Sequence, residues 1–91
     1  MMKKAIITVV GKDTVGIIAK TCTYLSENNV NILDISQTIV DEYFNMMMIV
    51  DLTKTELHFG ELVEGLNKIG AEIGVDIRCQ KEEIFTKMHR I

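Results

Sequence analysis

The sequence predicts an α+β domain in which a four-stranded antiparallel sheet carries two helices on one face. Ala5–Val10 is a short β-branched apolar run typical of a buried strand. Two longer stretches repeat apolar residues at the three-to-four spacing of an amphipathic helix. Two alternating segments flank the polar pair Asp41-Glu42, as in a β-hairpin. In chain order, these patterns give strand, helix, strand, strand, helix and strand.

The first strand and helix are predicted on either side of a glycine-containing turn. Ala5–Val10 is apolar on both alternating faces, so we expect it to lie centrally in the sheet. The helix begins near Val15 and ends near Asn28 and Asn29, because asparagine tolerates the left-handed conformation that terminates helices. Its apolar stripe consists of Val15, Ile18, Cys22 and Leu25.

The second and third strands are predicted at Asn31–Val40 and Tyr43–Leu52. One face of the first carries Ile35, Gln37 and Ile39 and the other Asp34, Ser36 and Thr38, so we expect one face to meet the core. The run Met46–Met48 contains a soft metal ligand at each position. Adjacent strand residues point to opposite faces, however, so buried core packing is the predicted role.

The second helix is predicted after Thr53–Glu56, which has the spacing of a capping box. Its stripe comprises Phe59, Leu62, Val63, Leu66, Ile69 and Ile73. Gly70 and Gly74 lie near its end, and Val75–Cys79 is a short strand expected at a sheet edge. The spacing of Ile84, Phe85, Met88 and Ile91 predicts a short C-terminal helix over about 81–91.

This element order, βαββαβ, is the ferredoxin-like arrangement. We expect residues 1–91 to form one domain with a core over about 4–80. The uncovered sheet face and edges predict a homodimer or a higher homo-oligomer. The competing interpretation is that the open face is polar and solvated.

Composition excludes several functional classes. The net charge of -3 disfavours direct nucleic-acid binding, and no apolar run approaches the ~20 residues that span a bilayer. Cys22 and Cys79 are too few for a disulfide scaffold or a four-cysteine zinc site, which favours a reducing cytoplasmic environment. His58 and His89 lack the neighbours of a catalytic triad. We therefore expect neither an enzyme nor a bound cofactor or metal.

The segment Val10–Ile18 is the candidate ligand-binding turn. A strand that leaves a glycine-containing turn as a helix points unpaired amides at an anionic group such as a carboxylate. In the alternative interpretation, Gly11 and Gly16 supply backbone angles and close packing, and Asp13 is an ordinary helix cap. The turn lacks the Cys-x-x-Cys pair of metal chaperones and the arginine of acylphosphatases, which share this topology.

Over Lys4–Gln80 the chain resembles the ACT domain. The resemblance is carried by Gly11-Lys12-Asp13 with Gly16-Ile17-Ile18, and by Val30–Gln37 with Tyr43–Met47. The last two segments are similar to small free-standing ACT proteins such as glycine-cleavage-system repressors. The resemblance implies a sensor that binds a small amino acid between two subunits and reports to a partner protein.

By the same resemblance, the ligand site draws on two subunits. One would contribute Gly11, Lys12, Asp13, Thr14, Val15, Gly16 and Ile17, and its neighbour Asn31, Ile32, Asp34 and Gln37. Asp13 would pair with an ammonium group, and the amide of Asn31 would donate and accept hydrogen bonds. Asn31 is equally compatible with ordinary turn chemistry, and Asp34 and Gln37 with solvent-facing strand positions.

Two features depart from the pattern of the resemblance. Val15 stands where many ACT domains have proline, and we expect no attached catalytic or DNA-binding domain. We therefore expect the signal to pass to a separate protein. The alternative function is a protein-interaction module without a ligand.

Overall fold

The fold is a four-stranded antiparallel sheet with two helices on one face, which confirms the predicted fold class. A computed structural model describes residues 3–12 and 16–82. The elements are β1 (Lys4–Lys12), α1 (Ile17–Glu27), β2 (Asn31–Val40), β3 (Tyr43–Asp51), α2 (Phe59–Ile73) and β4 (Asp76–Lys81). The strand order is β2-β3-β1-β4. Residues 83–91, which hold nearly all of the predicted C-terminal helix, lie outside the described residues.

Strand β1 is central, as its two apolar faces predict, and it continues further than expected. Gly11 pairs with Phe44 and Lys12 with Tyr43, so both residues belong to the strand and not to the turn. Helix α1 correspondingly begins at Ile17, after Gly16. The predicted helix start at Val15 is thus two residues too early, because the strand ladder extends to Lys12.

The core lies between the sheet and the two helices. Its members come from β1, β3, β4 and both helices, with Val30 preceding β2: Ala5, Ile7, Val9, Ile17, Leu25, Val30, Phe44, Met46, Met48, Val50, Leu62, Leu66 and Ile77. Met46 and Met48 are fully buried, which confirms their core role. Met47 is 40% exposed on the opposite face, so the prediction of a run buried on both faces is wrong for this residue.

Strand β2 forms one edge of the sheet and is exposed along almost its whole length. Ile35 and Ile39 lie opposite Met48 and Phe44 and therefore share the helix-facing side of the sheet. They are nevertheless 43% and 58% exposed. The predicted contact of this face with the core is wrong for Ile35 and Ile39, since neither belongs to the core; of the β2 residues, Ile32 packs against the core and is partly buried. A bulge between Ile32 and Asp34 sets this register.

Helix α2 begins later than its predicted cap. The amide of His58 donates to Oε1 of Glu61 at 2.9 Å, and the helix starts at Phe59. The predicted capping box at Thr53–Glu56 is wrong. Thr53 instead turns back on the end of β3, where its amide and hydroxyl both donate to Oδ1 of Asp51, at 2.9 and 2.5 Å. The local hydrogen bonds of this turn replace those of a helix start.

A buried hydroxyl in α1 gives a stability prediction. Thr21 is fully buried, and its Oγ1 finds no hydrogen-bond partner among the residues that the structure describes. A buried unsatisfied hydroxyl costs about 1–3 kcal/mol, whereas valine has nearly the same shape without that cost. We expect Thr21→Val to raise the free energy of unfolding by about 1 kcal/mol. Urea denaturation at equal protein concentration measures this change, and a lower midpoint would show that the hydroxyl is satisfied in solution.

Candidate functional site

The predicted ligand-binding residues lie at two opposite ends of the sheet within one chain. Gly11 and Lys12 end β1, and Gly16 and Ile17 begin α1 at the same end. Asn31 pairs with Asp51, which also pairs with Lys4 at the start of β1. Gly11 lies seven positions after Lys4 along the strand, or about 23 Å away at roughly 3.3 Å per residue. Asp13, Thr14 and Val15 lie outside the described residues.

The first end is built around Gly16, which occupies the N-cap position of α1 with φ 93°. Among residues 3–12 and 16–82, no side chain caps the helix there, and the first turn of α1 contains no acidic residue. The first amides of the helix therefore have neither an intrahelical acceptor nor a side-chain acceptor from these ranges. Ile17 is 2% exposed, so its side chain belongs to the core and its backbone alone can face a ligand. This end presents main-chain donors, which suit a carboxylate.

Gly11 has a packing role. Its φ is not in the left-handed region, where the described glycines are Gly16 and Gly74. A Cβ on Gly11 would lie 2.7 Å from Cγ1 and 3.1 Å from Cα of Val75. Gly11 thus leaves room for the chain that enters β4. Of the two glycines proposed to shape the turn, the unusual backbone geometry belongs to Gly16.

The second end contains a concavity beside Asn31. Its volume is about 580 Å³, within the usual range for small-molecule sites. It is lined by Cys22, Ser26, Asn29, Val30, Asn31, Ile32, Asp51 and Lys54. The sequence pattern indicates Asn31 and Ile32 but misses the residues contributed by α1, by the end of β3 and by the following turn. In βαββαβ topology, these segments meet the start of β2. The predicted topology was therefore the signal that could have identified these residues.

Both charge signs are present in this concavity. The two hydrogen bonds from Thr53 hold the pKa of Asp51 below its usual value, and so the carboxyl group is ionised at neutral pH. No ion pair within 4 Å joins Asp51 to Lys54 in the described part of the chain. Burial raises the pKa of the Cys22 thiol, which keeps it protonated. The site is therefore dipolar and contains no thiolate nucleophile.

Asp34 and Gln37 lie on the exposed edge strand. Oδ1 of Asp34 accepts a hydrogen bond of 2.9 Å from the amide of Ile35, next to the bulge. Gln37 lies opposite Met46, on the helix-facing side. Neither residue lines the concavity beside Asn31. Asp34 lies opposite Ile49 and Gln37 opposite Met46, so the two side chains are on opposite faces of the sheet, and within one chain both are accessible edge residues.

A second concavity, of about 690 Å³, lies below the start of α2. Its walls include Lys81, whose ammonium nitrogen is 5.4 Å from the centre of the Phe59 ring, and the acidic residues Glu56 and Glu82. None of the predicted ligand-binding residues lines it. The mixed charge and the cation–π contact of Lys81 give it no clear ligand preference.

Residues 3–12 and 16–82 offer no arrangement typical of a metal site. No group of three or more His, Cys, Asp or Glu residues in these ranges is placed to hold a metal ion. His58 is an exposed residue at the start of α2, and His89 lies outside the described residues. No helix within the same ranges has the length and apolar character needed to cross a membrane.

The conformation of Gly16 gives a testable prediction. A Cβ at this position would meet nothing within 4 Å, so any cost of Gly16→Ala comes from φ 93° and not from a clash. Left-handed backbone costs a non-glycine residue about 1–2 kcal/mol. We expect Gly16→Ala to lower the free energy of unfolding by about that amount. Chemical denaturation measures it, and an unchanged midpoint would mean that the turn has another conformation in solution.

Known proteins resemble this chain in both sequence and fold. The family model described as ACT domain matches residues 3–80. A UPF0237 protein of Bifidobacterium longum is 70% identical over 90 residues, which cover 99% of this chain and 100% of the relative. An ACT domain protein from Streptococcus pneumoniae is 42% identical with a TM-score of 0.81, over 93% of this chain and 96% of that one.

A more distant structure shares the fold. A putative glycine cleavage system transcriptional repressor has a TM-score of 0.77 at 17% identity, and the match covers 89% of this chain and 46% of that protein. The family shown by the more similar proteins is one of regulatory domains and not one of enzymes.

Proposed function

Because this chain belongs to the ACT domain family, we propose that it is a regulatory protein that binds a small amino acid between two copies of itself. The bound state is passed on through contacts with a protein partner that controls amino-acid metabolism or its transcription. The protein acts as a cytoplasmic sensor and not as a catalyst, and it does not contact nucleic acid directly. The exposed edge strand β2 is the observation that supports this proposal most strongly.

Strand β2 has the properties of an incomplete interface. Within residues 3–12 and 16–82, its outer backbone amides and carbonyls have no further strand beside them, because β2 is the end of the sheet. Long apolar edges are hazardous unless another chain covers them. Here the edge carries Leu33, Ile35, Ile39 and Val40, which are 41%, 43%, 58% and 65% exposed. Exposed apolar side chains along an unpaired strand favour pairing with a second copy.

A two-fold pairing of β2 with β2 joins the two separated ends of the site. If the strands pair antiparallel about their centres, Asn31 of the second copy lies across from Val40. Val40 is in register with Tyr43, which pairs with Lys12. The turn that follows Lys12 in one copy is therefore at the same end as Asn31 of the other. A dimer thus supplies the site that one chain alone leaves divided.

The residues of the proposed site suit the two charged groups of an amino acid. The uncapped amides at the start of α1 bind the carboxylate, favoured by the positive end of the helix dipole. Asp13 pairs with the ammonium group, and the amide of Asn31 accepts and donates a hydrogen bond between them. Lys12, Thr14, Val15 and Ile32 complete the walls of this proposed site, and Asp34 and Gln37 lie along the seam between the two copies.

The helix-free face of the sheet is the proposed surface for the protein partner. Val10, Tyr43 and Met47 share this face and are 46%, 53% and 40% exposed. Exposed apolar residues grouped on one face are typical of interaction sites. The same observation supports the second candidate function, a module that docks a partner without any ligand.

Calorimetric titration with the common amino acids tests the proposed function. We expect one or a few amino acids to bind at one or two sites per dimer, and Asp13→Ala and Asn31→Ala to weaken binding at least tenfold while the proteins remain folded. Glu64→Ala, an exposed change in α2, is the matched control. If no amino acid produces heat or a thermal shift, the ligand-free interaction module is the correct function.

A further inference from the structure

The concavity beside Asn31 contains polar residues that are not needed to bind the carboxylate or the ammonium group of the ligand. It extends from Asn31 under α1 to the turn after β3, and Ser26, Asp51 and Lys54 are among its walls. In the two-fold pairing of β2 with β2, this concavity opens at the end of the sheet where the second copy presents Gly16 and the first amides of α1. A ligand whose carboxylate is held at that turn would direct its side chain into this concavity.

Two opposite charges remain available there. Both hydrogen bonds from Thr53 end on Oδ1 of Asp51, and Oδ2 accepts none from the described residues. Lys54 forms no ion pair within 4 Å in the described part of the chain. A negative and a positive group therefore border one small volume without a direct ion pair, while Lys54 is near enough to help lower the pKa of Asp51.

We propose that this concavity selects the side chain of the ligand and favours uncharged side chains that both donate and accept hydrogen bonds, namely hydroxyls and amides. The inference rests on the proposed function. An aliphatic side chain would remove water from Asp51 and Lys54 without replacing the lost hydrogen bonds, and that is costly. A charged side chain would be attracted by one of the two groups and repelled by the other. A hydroxyl or amide satisfies both.

Pairs of amino acids with matched shapes provide the experiment. Threonine and valine are nearly isosteric, as are asparagine and leucine, so calorimetric titration of each pair isolates the polar contribution. We expect the wild-type protein to bind the polar member at least tenfold more tightly. In Lys54→Met the preference should fall to about threefold or less, because one of the two charges is removed. Lys68→Met, an exposed change in α2 outside the concavity, is the control and should retain the preference.

A filled concavity gives an independent test that does not alter the charges. Ser26 is exposed on the last turn of α1, so Ser26→Tyr is compatible with the fold and places a ring in the cavity. We expect it to weaken binding of the polar ligands at least tenfold. Equal affinity within each wild-type pair, or unchanged binding in Ser26→Tyr, would overturn the inference while leaving the proposed function intact. Absence of binding by every amino acid would instead overturn the proposed function.

Discussion

A protein carrying Ile35→Lys together with Ile39→Lys is expected to be monomeric at concentrations where the wild-type protein is a dimer. Both isoleucines lie on the exposed edge strand β2 and are 43% and 58% exposed in the single chain. Covering the remaining area of such a side chain contributes about 1 kcal/mol, and a two-fold dimer covers four of them. Their loss alone, about 4 kcal/mol, weakens dimerisation about 10³-fold, and four buried lysines would weaken it further.

The measurement is the solution mass across a dilution series, with amino-acid binding followed in parallel. Since the proposed ligand site needs two copies, the monomeric variant should also lose binding while keeping its circular dichroism spectrum. Met47→Lys is the matched control, because Met47 is 40% exposed on the helix-free face of the internal strand β3 and lies outside both the ligand-binding turn and the β2 edge. A dimeric double variant, or a wild-type protein that stays monomeric at high concentration, would contradict the proposed interface.

The elements most accurately predicted from the sequence are those whose partners lie within one chain. Ala5–Val10 is apolar on both faces because it lies between β3 and β4, and a strand with two neighbours carries this signature locally. The stripe of α2 likewise contains Leu62 and Leu66, which the core buries. Periodicity is a reliable guide to such segments because the burial that produces it is complete within the fold.

Strand β2 differs from its prediction because the described part of the chain does not cover its apolar side. The alternation of Ile35 and Ile39 with polar residues predicts a core-facing side, but the helices leave that side of the edge strand uncovered. Periodicity reports that a face is to be buried and does not say by which chain. Apolar residues selected for a contact between subunits and those selected for a core therefore have the same pattern.

The candidate site is predictable from the sequence only in part, because hydrogen bonds and close packing decide its details. The pattern around Gly11 indicates a turn residue, yet it is a strand residue whose missing side chain makes room for Val75. Asp51 and Lys54 carry no local motif, and the fold alone brings them beside Asn31. Residues recruited from separate elements in this way have no fixed spacing that a sequence pattern can detect.

The passage of the chain from α2 into β4 gives the second large prediction. A Cβ on Gly70 would lie 2.7 Å from the carbonyl oxygen of Val75. That backbone cannot easily retreat, since the amides of Gly74 and Val75 both donate to the carbonyl of Gly70, at 2.7 and 2.9 Å, and β4 pairs with β1 from Asp76 onward. We expect Gly70→Ala to lower the free energy of unfolding by about 2 kcal/mol, because overpacking outweighs the better helix propensity of alanine.

Gly60→Ala in the same helix is the control for Gly70→Ala, since a Cβ there meets nothing within 4 Å. It should raise the free energy of unfolding by up to about 1 kcal/mol through helix propensity alone. Urea denaturation at one protein concentration compares the two variants, because the proposed dimerisation would make the midpoint concentration-dependent. Changes of opposite sign in the free energy of unfolding would show that the contact with Val75, and not the flexibility of glycine, determines the residue at position 70. If Gly70→Ala also stabilises the protein, the end of α2 and the start of β4 separate readily. That result would contradict the close packing of position 70 against Val75.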